Sequence, residues 1–366
     1  MIDVCVVGLG AMGSAAAKHL AARGARVIGL EAFDRGHGLG SSGGLSRIIR
    51  LAYFEHSDYV PLLRRAWSLW RDLEAETGLS VLRETGGLYL GPGDGELVPG
   101  ARKSAETHGL AHELLDAAEI ARRYPALRPD PSWVGLAEAQ AGVLGPERAI
   151  EAHLRAAERG GAVLRFGERV TTWRRDGDGV VIKTTKGVYR ASTLVIAAGA
   201  WLGGLVPSVA PFLQVERVPL YWFEPTGPVG PLPVWIAEDP DGDFYGFPLD
   251  EHGLKVARHG SGDPADPDTL DRSAHSADEE RVRAFARRRL PVADGRLRST
   301  YVCMYTRTPD GHFVIDRTDE HVVYASACSG HGFKFSSVVG EILADLALVG
   351  RTGHRIGFLS AARFLA

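Results

Sequence analysis

Cysteine is scarce. The chain of 366 residues has three, Cys5, Cys303 and Cys328. They form neither a disulfide framework nor a zinc spacing, so no metal site is expected. A reducing compartment is the corresponding expectation. No run of about 18 apolar residues occurs, which excludes a membrane-crossing helix. An excess of one charge is lacking too: the net charge of −3 gives no electrostatic case for nucleic acid. An apolar strand starting at residue 2 leaves no room for a signal peptide, so a cytoplasmic location is expected. Internal repeats and low-complexity linkers are absent. What remains is ordinary for a globular protein, 45% hydrophobic and 24% charged, at a length of two domains or one interleaved pair.

The chain is organised around its first thirteen residues. Met1 to Val7 reads as a short buried strand, Gly8-Leu9-Gly10-Ala11-Met12-Gly13 follows at once, and Ser14 to Ala22 reads as a helix closed by Gly24. Residues 26 to 31 give a second apolar strand ending in Glu31, eighteen residues after Gly13. Gly8 permits the tight turn, Gly10 lets the backbone approach a pyrophosphate, and Gly13 lets the helix pack on the strand. The helix N-terminus, at Ala11 and Met12, faces the phosphates. Glu31 is placed to accept from ribose hydroxyls. This is a dinucleotide site, and the motif alone does not choose between NAD and FAD.

Residues 32 to 46, rich in glycine, read as a loop over the cofactor. Pro61 opens a helix ending at Gly78, with Trp67 and Trp70 on its core face. Residues 81 to 91 read as an extended pair around Gly86-Gly87, 98 to 123 as two helical stretches, and 147 to 159 as a helix. Short strands follow to residue 190. Thr193 to Trp201 is a buried strand running into a second glycine turn, where Gly199 brings backbone near the nucleotide. Residues 211 to 262 read mostly as strands, 267 to 290 as a helix, and 299–306, 312–316 and 322–327 as strands. A glycine loop, Ser329 to Lys334, leads into a helix from Ser336 to Leu348. The pattern is a nucleotide domain assembled from the start, middle and end of the chain, with a sheet-rich domain inserted twice. The expected division is 1–80, 145–210 and 300–366 for the cofactor, and 81–144 and 211–299 for the substrate.

Cys303 can be read in two ways. A cysteine near a cation can be a nucleophilic thiolate, but on the residues alone a buried core thiol on a strand is the favoured reading. Cys5 and Cys328 read as core. Lysine is scarce beside arginine, and Lys255 and Lys334 are each flanked by apolar residues. Each is either snorkelling from an edge or held inside for a purpose. His259 shares a face with Lys255 if the strand runs on evenly. Arg47 and Arg50, one helical turn apart, read as a carboxylate clamp or as a solvated loop pair.

Five stretches together resemble one family. They are Gly8 to Gly13, Ser46-Arg47-Ile48-Ile49-Arg50-Leu51-Ala52-Tyr53, Tyr245 to Pro248 ahead of Gly253-Leu254-Lys255, Cys303-Met304-Tyr305-Thr306 with Thr308-Pro309-Asp310, and Ser329 to Ser337. The chain is similar, over nearly its whole length, to the monomeric sarcosine oxidase family. That family includes N-methyltryptophan and pipecolate oxidases and belongs to the glycine/D-amino-acid oxidase group of FAD enzymes. The resemblance implies an α/β fold with a Rossmann-like (glutathione-reductase-like) FAD domain and an inserted sheet-rich α+β substrate domain. It also implies a thioether from Cys303 to the flavin, Lys255 over the flavin face assisting oxygen, and Arg50 and Lys334 holding the substrate carboxylate. Tyr245 and His259 would line the amine pocket, near the Gly330 carbonyl. Arg47 would support the flavin, and Ser42, Val170, Gly199, Gly330, Gly332 and Lys334 would touch the cofactor.

The implied reaction is oxidation of a secondary amino acid such as sarcosine to an imine, hydrolysed to aldehyde and amine, with O2 reduced to H2O2. A small-molecule substrate and O2 would be the partners of a monomer. The alternatives are a bulkier or cyclic substrate, or a flavin dehydrogenase with another acceptor. Departures bear on this choice. The loop between Gly246 and Lys255 is one residue shorter than the family pattern. Ser41-Ser42-Gly43 stands where histidine is usual, Ile236 replaces a methionine, and Phe244 and Trp222 add bulk.

Overall fold

The computed structural model describes residues 2–260 and 262–364. The opening strand is therefore described from Ile2; Met1, and Ser261 within the expected strand region, lie outside the described residues. The first sheet has eight strands. Its parallel centre sets Ile2–Val7 between Val27–Leu30 and Val188–Ile196, with Val163–Arg165 beyond the first and Val322–Ser326 beyond the second. The stretches Val4–Val7, Val27–Leu30 and Leu194–Ile196 are buried throughout and almost wholly apolar, as the covered centre of a parallel sheet requires. The turn after Ile2–Val7 needs glycine at two places. Gly8 has φ +85°, and a Cβ at Gly13 would lie 1.7 Å from the Gly8 carbonyl oxygen. That contact lets the helix Ala11–Ala22 lie directly on the strand it follows.

The second sheet has nine strands. Leu297–Arg307 pairs antiparallel with Gln214–Phe223 along nearly its whole length, so this segment belongs to the second sheet although residues 300–307 were grouped with the cofactor segments. Strand alternation divides the sheet's two faces. Phe244, Leu254 and Val256 pack with Trp235 and Phe285 of the helix Ser276–Arg289, whereas Ala257, Cys303 and Tyr305 pack on the opposite face with Tyr245. Phe244, stacked 4.1 Å from Phe285, is thus core rather than pocket bulk. A three-stranded sheet joins Arg47–Ile49, Gly142–Leu144 and Leu82–Glu84.

Several local readings differ from the structure. Leu82–Glu84 and Gly87–Pro92 do not pair with each other; Gly86, at φ +70°, turns the chain from the small sheet into the large one. The strand His112–Asp116 sits between the two expected helices and pairs only along one side, with Trp133–Glu138. Its polar residues hid it. The helix expected from residue 267 starts at Ser276. Pro264 and Pro267 lack amide donors, and Asp266 and Asp271 bind the backbone amides two residues ahead, which favours turns.

The helix Ser336–Val349 packs on Ala11–Ala22 through Gly340, where a Cβ would lie 2.5 Å from Ala15 backbone and side chain. Gly340→Ala is therefore expected to destabilise the fold by about 1–3 kcal/mol through overpacking. Thermal denaturation would show this as a lowered Tm.

Candidate active site

A cavity of about 570 Å³ opens where the glycine turn meets the parallel strands. Gly8, Gly10, Ala11, Met12, Glu31, Ser42, Val170 and Gly199 all line it. Gly13 is absent from the lining because its role is packing. The helix Ala11–Ala22 has Gly10, without a side chain, at its N-cap and no acid in its first turn; the Ser42 hydroxyl accepts from the Ala11 amide at 3.4 Å. Its open amides and positive dipole end suit phosphate. Glu31 is buried, and its carboxylate accepts from the Leu9 amide at 2.7 Å and the Phe33 amide at 3.1 Å. Burial pushes its pKa up, but His37 and these amides outweigh that and hold it below the usual range. The donors, the acid and the cradle left by the glycines fit a dinucleotide.

A second cavity of about 90 Å³ shares Ser41, Cys328 and Phe333 with the first. Arg47, Arg50, Tyr245, His259, Cys303, Gly330, Gly332 and Lys334 line it. Cys303 is buried on its strand, as the residues alone suggested, yet its Sγ faces the cavity 3.4 Å from Arg47 Nη2. Arg47 also donates to the Ser41 and Ser46 carbonyls at 3.0 and 2.9 Å. Arg47 lies on a strand, not a helical turn. Arg50 directly follows that strand, and although both residues line the smaller cavity they do not form one clamp: Arg47 meets Cys303, and Arg50 meets Glu55.

Arg50 is buried between the rings of Tyr53 and Phe54, 4.2 and 4.9 Å from their centroids. Its Nη2 donates to Glu55 at 2.5 Å. Burial drives the Glu55 pKa up, but the adjacent Arg50 guanidinium overrides it and holds the carboxyl at about 2. Lys334 donates to the His331 carbonyl at 2.8 Å, and the Trp70 indole donates to the Lys334 carbonyl at 3.1 Å. Trp70 is thus core, as expected, and also fixes the backbone of a site lysine. Burial, and then repulsion from Arg50, lowers the Lys334 pKa to about 7. His259 and His331 fall to about 4 and about 3, mainly through burial, and are neutral near pH 7.

Lys255 is buried behind the Gly44–Ser46 turn and is not among the residues lining either cavity. Its Nζ donates to the Gly44 and Ser46 carbonyls at 2.7 and 3.0 Å, with Ser46 Oγ at 3.1 Å. The Trp222 and Phe247 rings each lie 4.8 Å away. Trp222 therefore belongs to the lysine's wall. Burial, and then Arg47, pulls Lys255 well below the usual lysine range. The three oxygens and two ring faces oppose that pull.

Several residues had no role in the sequence reading. Glu55 had no signal beyond its nearness to Arg50. Glu138 is buried and accepts from the Leu51 and Ala52 amides and, at 2.5 Å, from the Tyr89 hydroxyl, fixing the chain just after Arg50. Tyr305 and His331 lay inside quoted motifs; the Tyr53 hydroxyl meets His331 Nδ1 at 2.6 Å. Cys328, read as core, is half-buried and lines both cavities. Ile236 lines the smaller one. Among the described residues no cluster of metal-ligating side chains occurs, and no helix is long and apolar enough to cross a membrane.

A parallel sheet with a dinucleotide cavity, joined to a second sheet that supplies a cation-lined pocket, defines a nucleotide-dependent oxidoreductase. Residues 3–346 match the family described as FAD dependent oxidoreductase (DAO). The chain is 45% identical to a monomeric sarcosine oxidase of Streptomyces avermitilis, covering 100% of this chain and 98% of the relative. It is 36% identical to an N-methyl-L-tryptophan oxidase of Salmonella enteritidis, over 94% of each. Among solved structures it resembles NikD, described as an unusual amino acid oxidase essential for nikkomycin biosynthesis, with TM-score 0.86 and 28% identity over 98% of this chain and 96% of that one. Glycine oxidase from Geobacillus kaustophilus shares the fold, with TM-score 0.82 at 23% identity over 98% and 97%. The chain belongs to the FAD-dependent oxidoreductase family typified by these amino-acid oxidases.

The two cations against one acid, Arg50 and Lys334 with Glu55, leave the smaller cavity with a net positive lining. Lys334 is charged below about pH 7 and loses its proton above it. Acetate binding, measured by calorimetry, is therefore expected to weaken as pH rises from about 6 to about 9, levelling off where Arg50 alone stays charged. In Lys334→Met this pH dependence should vanish.

Proposed function

We propose that this protein oxidises a secondary α-amino acid, with sarcosine as the simplest, using FAD and passing electrons to O2. The observation that carries this reading is the placement of two buried cations, Arg50 bound to Glu55 and Lys334 bound to the His331 carbonyl, in a pocket adjoining the dinucleotide cavity at Cys328 and Phe333. The relatives named for N-methyl amino acids support the same substrate class.

The substrate carboxylate takes the place of Glu55 on Arg50 and pairs with Lys334. Neutral His259 and the Tyr245 and Tyr305 hydroxyls line the rest of the pocket and set no cation against the substrate nitrogen. The Gly330 carbonyl accepts from that nitrogen. When bound in the larger cavity, flavin would supply the two-electron acceptor, with O2 as the final acceptor giving H2O2. The substrate loses its C–H hydrogen with two electrons and a proton from nitrogen; the imine that results is hydrolysed by water to aldehyde and amine. Lys255 sets a positive charge behind the Gly44–Ser46 turn, where reduction of oxygen builds negative charge. Arg47, 3.4 Å from the Cys303 sulfur, sets a cation beside the atom that would form a thioether to the flavin. The reading also divides the chain into a cofactor unit built on the parallel sheet and a substrate unit built on the nine-stranded sheet, in a cytoplasmic monomer.

Anaerobic bleaching of the visible flavin band tests the substrate. A panel of sarcosine, N-methyltryptophan, pipecolate, proline and D-amino acids should give fast bleaching with an N-substituted member; a fully flavinylated protein bleached by none of them would sink the assignment. Covalent attachment predicts yellow fluorescence that stays with the protein band after denaturing electrophoresis. In Cys303→Ala that fluorescence should be lost.

A further inference from the structure

The turn that receives Lys255 is strained. The Ser46 amide donates to the Gly44 carbonyl at 2.8 Å across Leu45, whose φ is +67°. This is a three-residue turn with a left-handed centre, a rare arrangement, and the centre is leucine rather than glycine. Gly44 itself has φ +100°. The Leu45 side chain is 42% exposed, so burial of that side chain does not offset the strain. Such conformations persist only where the surroundings over-determine them.

Glu147 supplies that constraint. Its Oε1 accepts from the Gly44 amide at 2.9 Å and the Leu45 amide at 3.1 Å. Glu147 is fixed in turn: it lies in the first turn of the helix Pro146–Arg159, directly after the proline that opens it. With both amides held on one side, the Gly44 and Ser46 carbonyls are left to accept from Lys255. The Ser46 carbonyl also accepts from Arg47. One carboxylate at the edge of the larger cavity thereby orients the oxygens that hold the buried Lys255 and the half-buried Arg47.

We propose that Glu147 is a positioning residue for Lys255, acting through the Gly44–Leu45–Ser46 turn, and that it governs reoxidation by O2 rather than oxidation of substrate. The proposal rests on the oxidase reading above. The charge of Glu147 is secondary to its geometry, because a glutamine oxygen accepts from the same two amides.

The test compares the holoenzyme with Glu147→Ala and Glu147→Gln. In Glu147→Ala, reoxidation of the reduced flavin by O2 should slow about tenfold, the order expected for losing a charge-assisted hydrogen-bond pair. Anaerobic reduction by substrate should change less than about twofold. Glu147→Gln should restore most of the reoxidation rate. Hydrogen exchange of a peptide spanning residues 43–47 should be slow in the parent and in Glu147→Gln and fast in Glu147→Ala. Unchanged reoxidation in Glu147→Ala, an equal fall in both half-reactions, or unaltered exchange overturns the proposal. A parent enzyme whose reduced flavin ignores O2 but passes electrons to an artificial acceptor overturns the oxidase reading and, with it, the claim on reoxidation; the exchange difference then decides the positioning claim by itself.

Discussion

Keeping positive charge inside a low-dielectric site is the constraint on which this structure turns. Arg50, Lys255 and Lys334 are buried, with Arg47 beside them, and only Glu55 among the nearby acids pairs directly with any of them. A charge taken from water without compensation is costly. Carboxylates would compensate it but would also cancel the field that an anionic substrate and reduced oxygen require. Backbone carbonyls and aromatic faces solve this: they solvate the cations with partial charges and leave the net charge in place. The Gly44, Ser46 and His331 carbonyls and the rings of Tyr53, Trp222 and Phe247 all serve in this way.

Supplying carbonyls at chosen points demands unusual backbone, and that explains where left-handed residues fall. Leu45 and Ser329 are the two non-glycine residues with positive φ among the described residues, and each stands in a loop at the junction of the two cavities. The Ser329 amide donates to Thr306, on the same strand as Cys303. The same strand therefore carries the sulfur, on one face, and anchors the loop that presents His331 and Lys334. The period of two in that strand, set against the covered face of the nine-stranded sheet, decides which side chains reach the site.

Much of the fold was legible because its signals are local. Gly8, Gly13 and Glu31 encode a strand–turn–helix–strand unit within about thirty residues, and the helices Tyr59–Thr77, which starts two residues before the expected Pro61, and Pro146–Arg159 carry their own periodicity. The motif residues were legible through their resemblance, and the structure gathers nearly all of them at the two cavities. Pairings between distant segments were less legible. Nothing local in Arg47 to Arg50 says strand, because its partner, Gly142–Leu144, lies over ninety residues away. Glu55, Glu138 and Glu147 carry no local signal in the sequence; their importance comes from which backbone amides and cations tertiary folding brings to them.

The central strand has a consequence for synthesis of the protein. Ile2–Val7 is made long before its neighbour Val188–Ile196 and the strand beyond, Val322–Ser326. At about 5–20 residues per second a ribosome takes some tens of seconds to complete that sheet. Through that interval an apolar strand built to be covered on both faces has only Val27–Leu30, and later Val163–Arg165, for company. The cavity for the cofactor, which also needs Ala325 to Cys328 in its wall, cannot exist on a nascent chain. Flavin loading therefore follows synthesis of the segment that ends at Cys328.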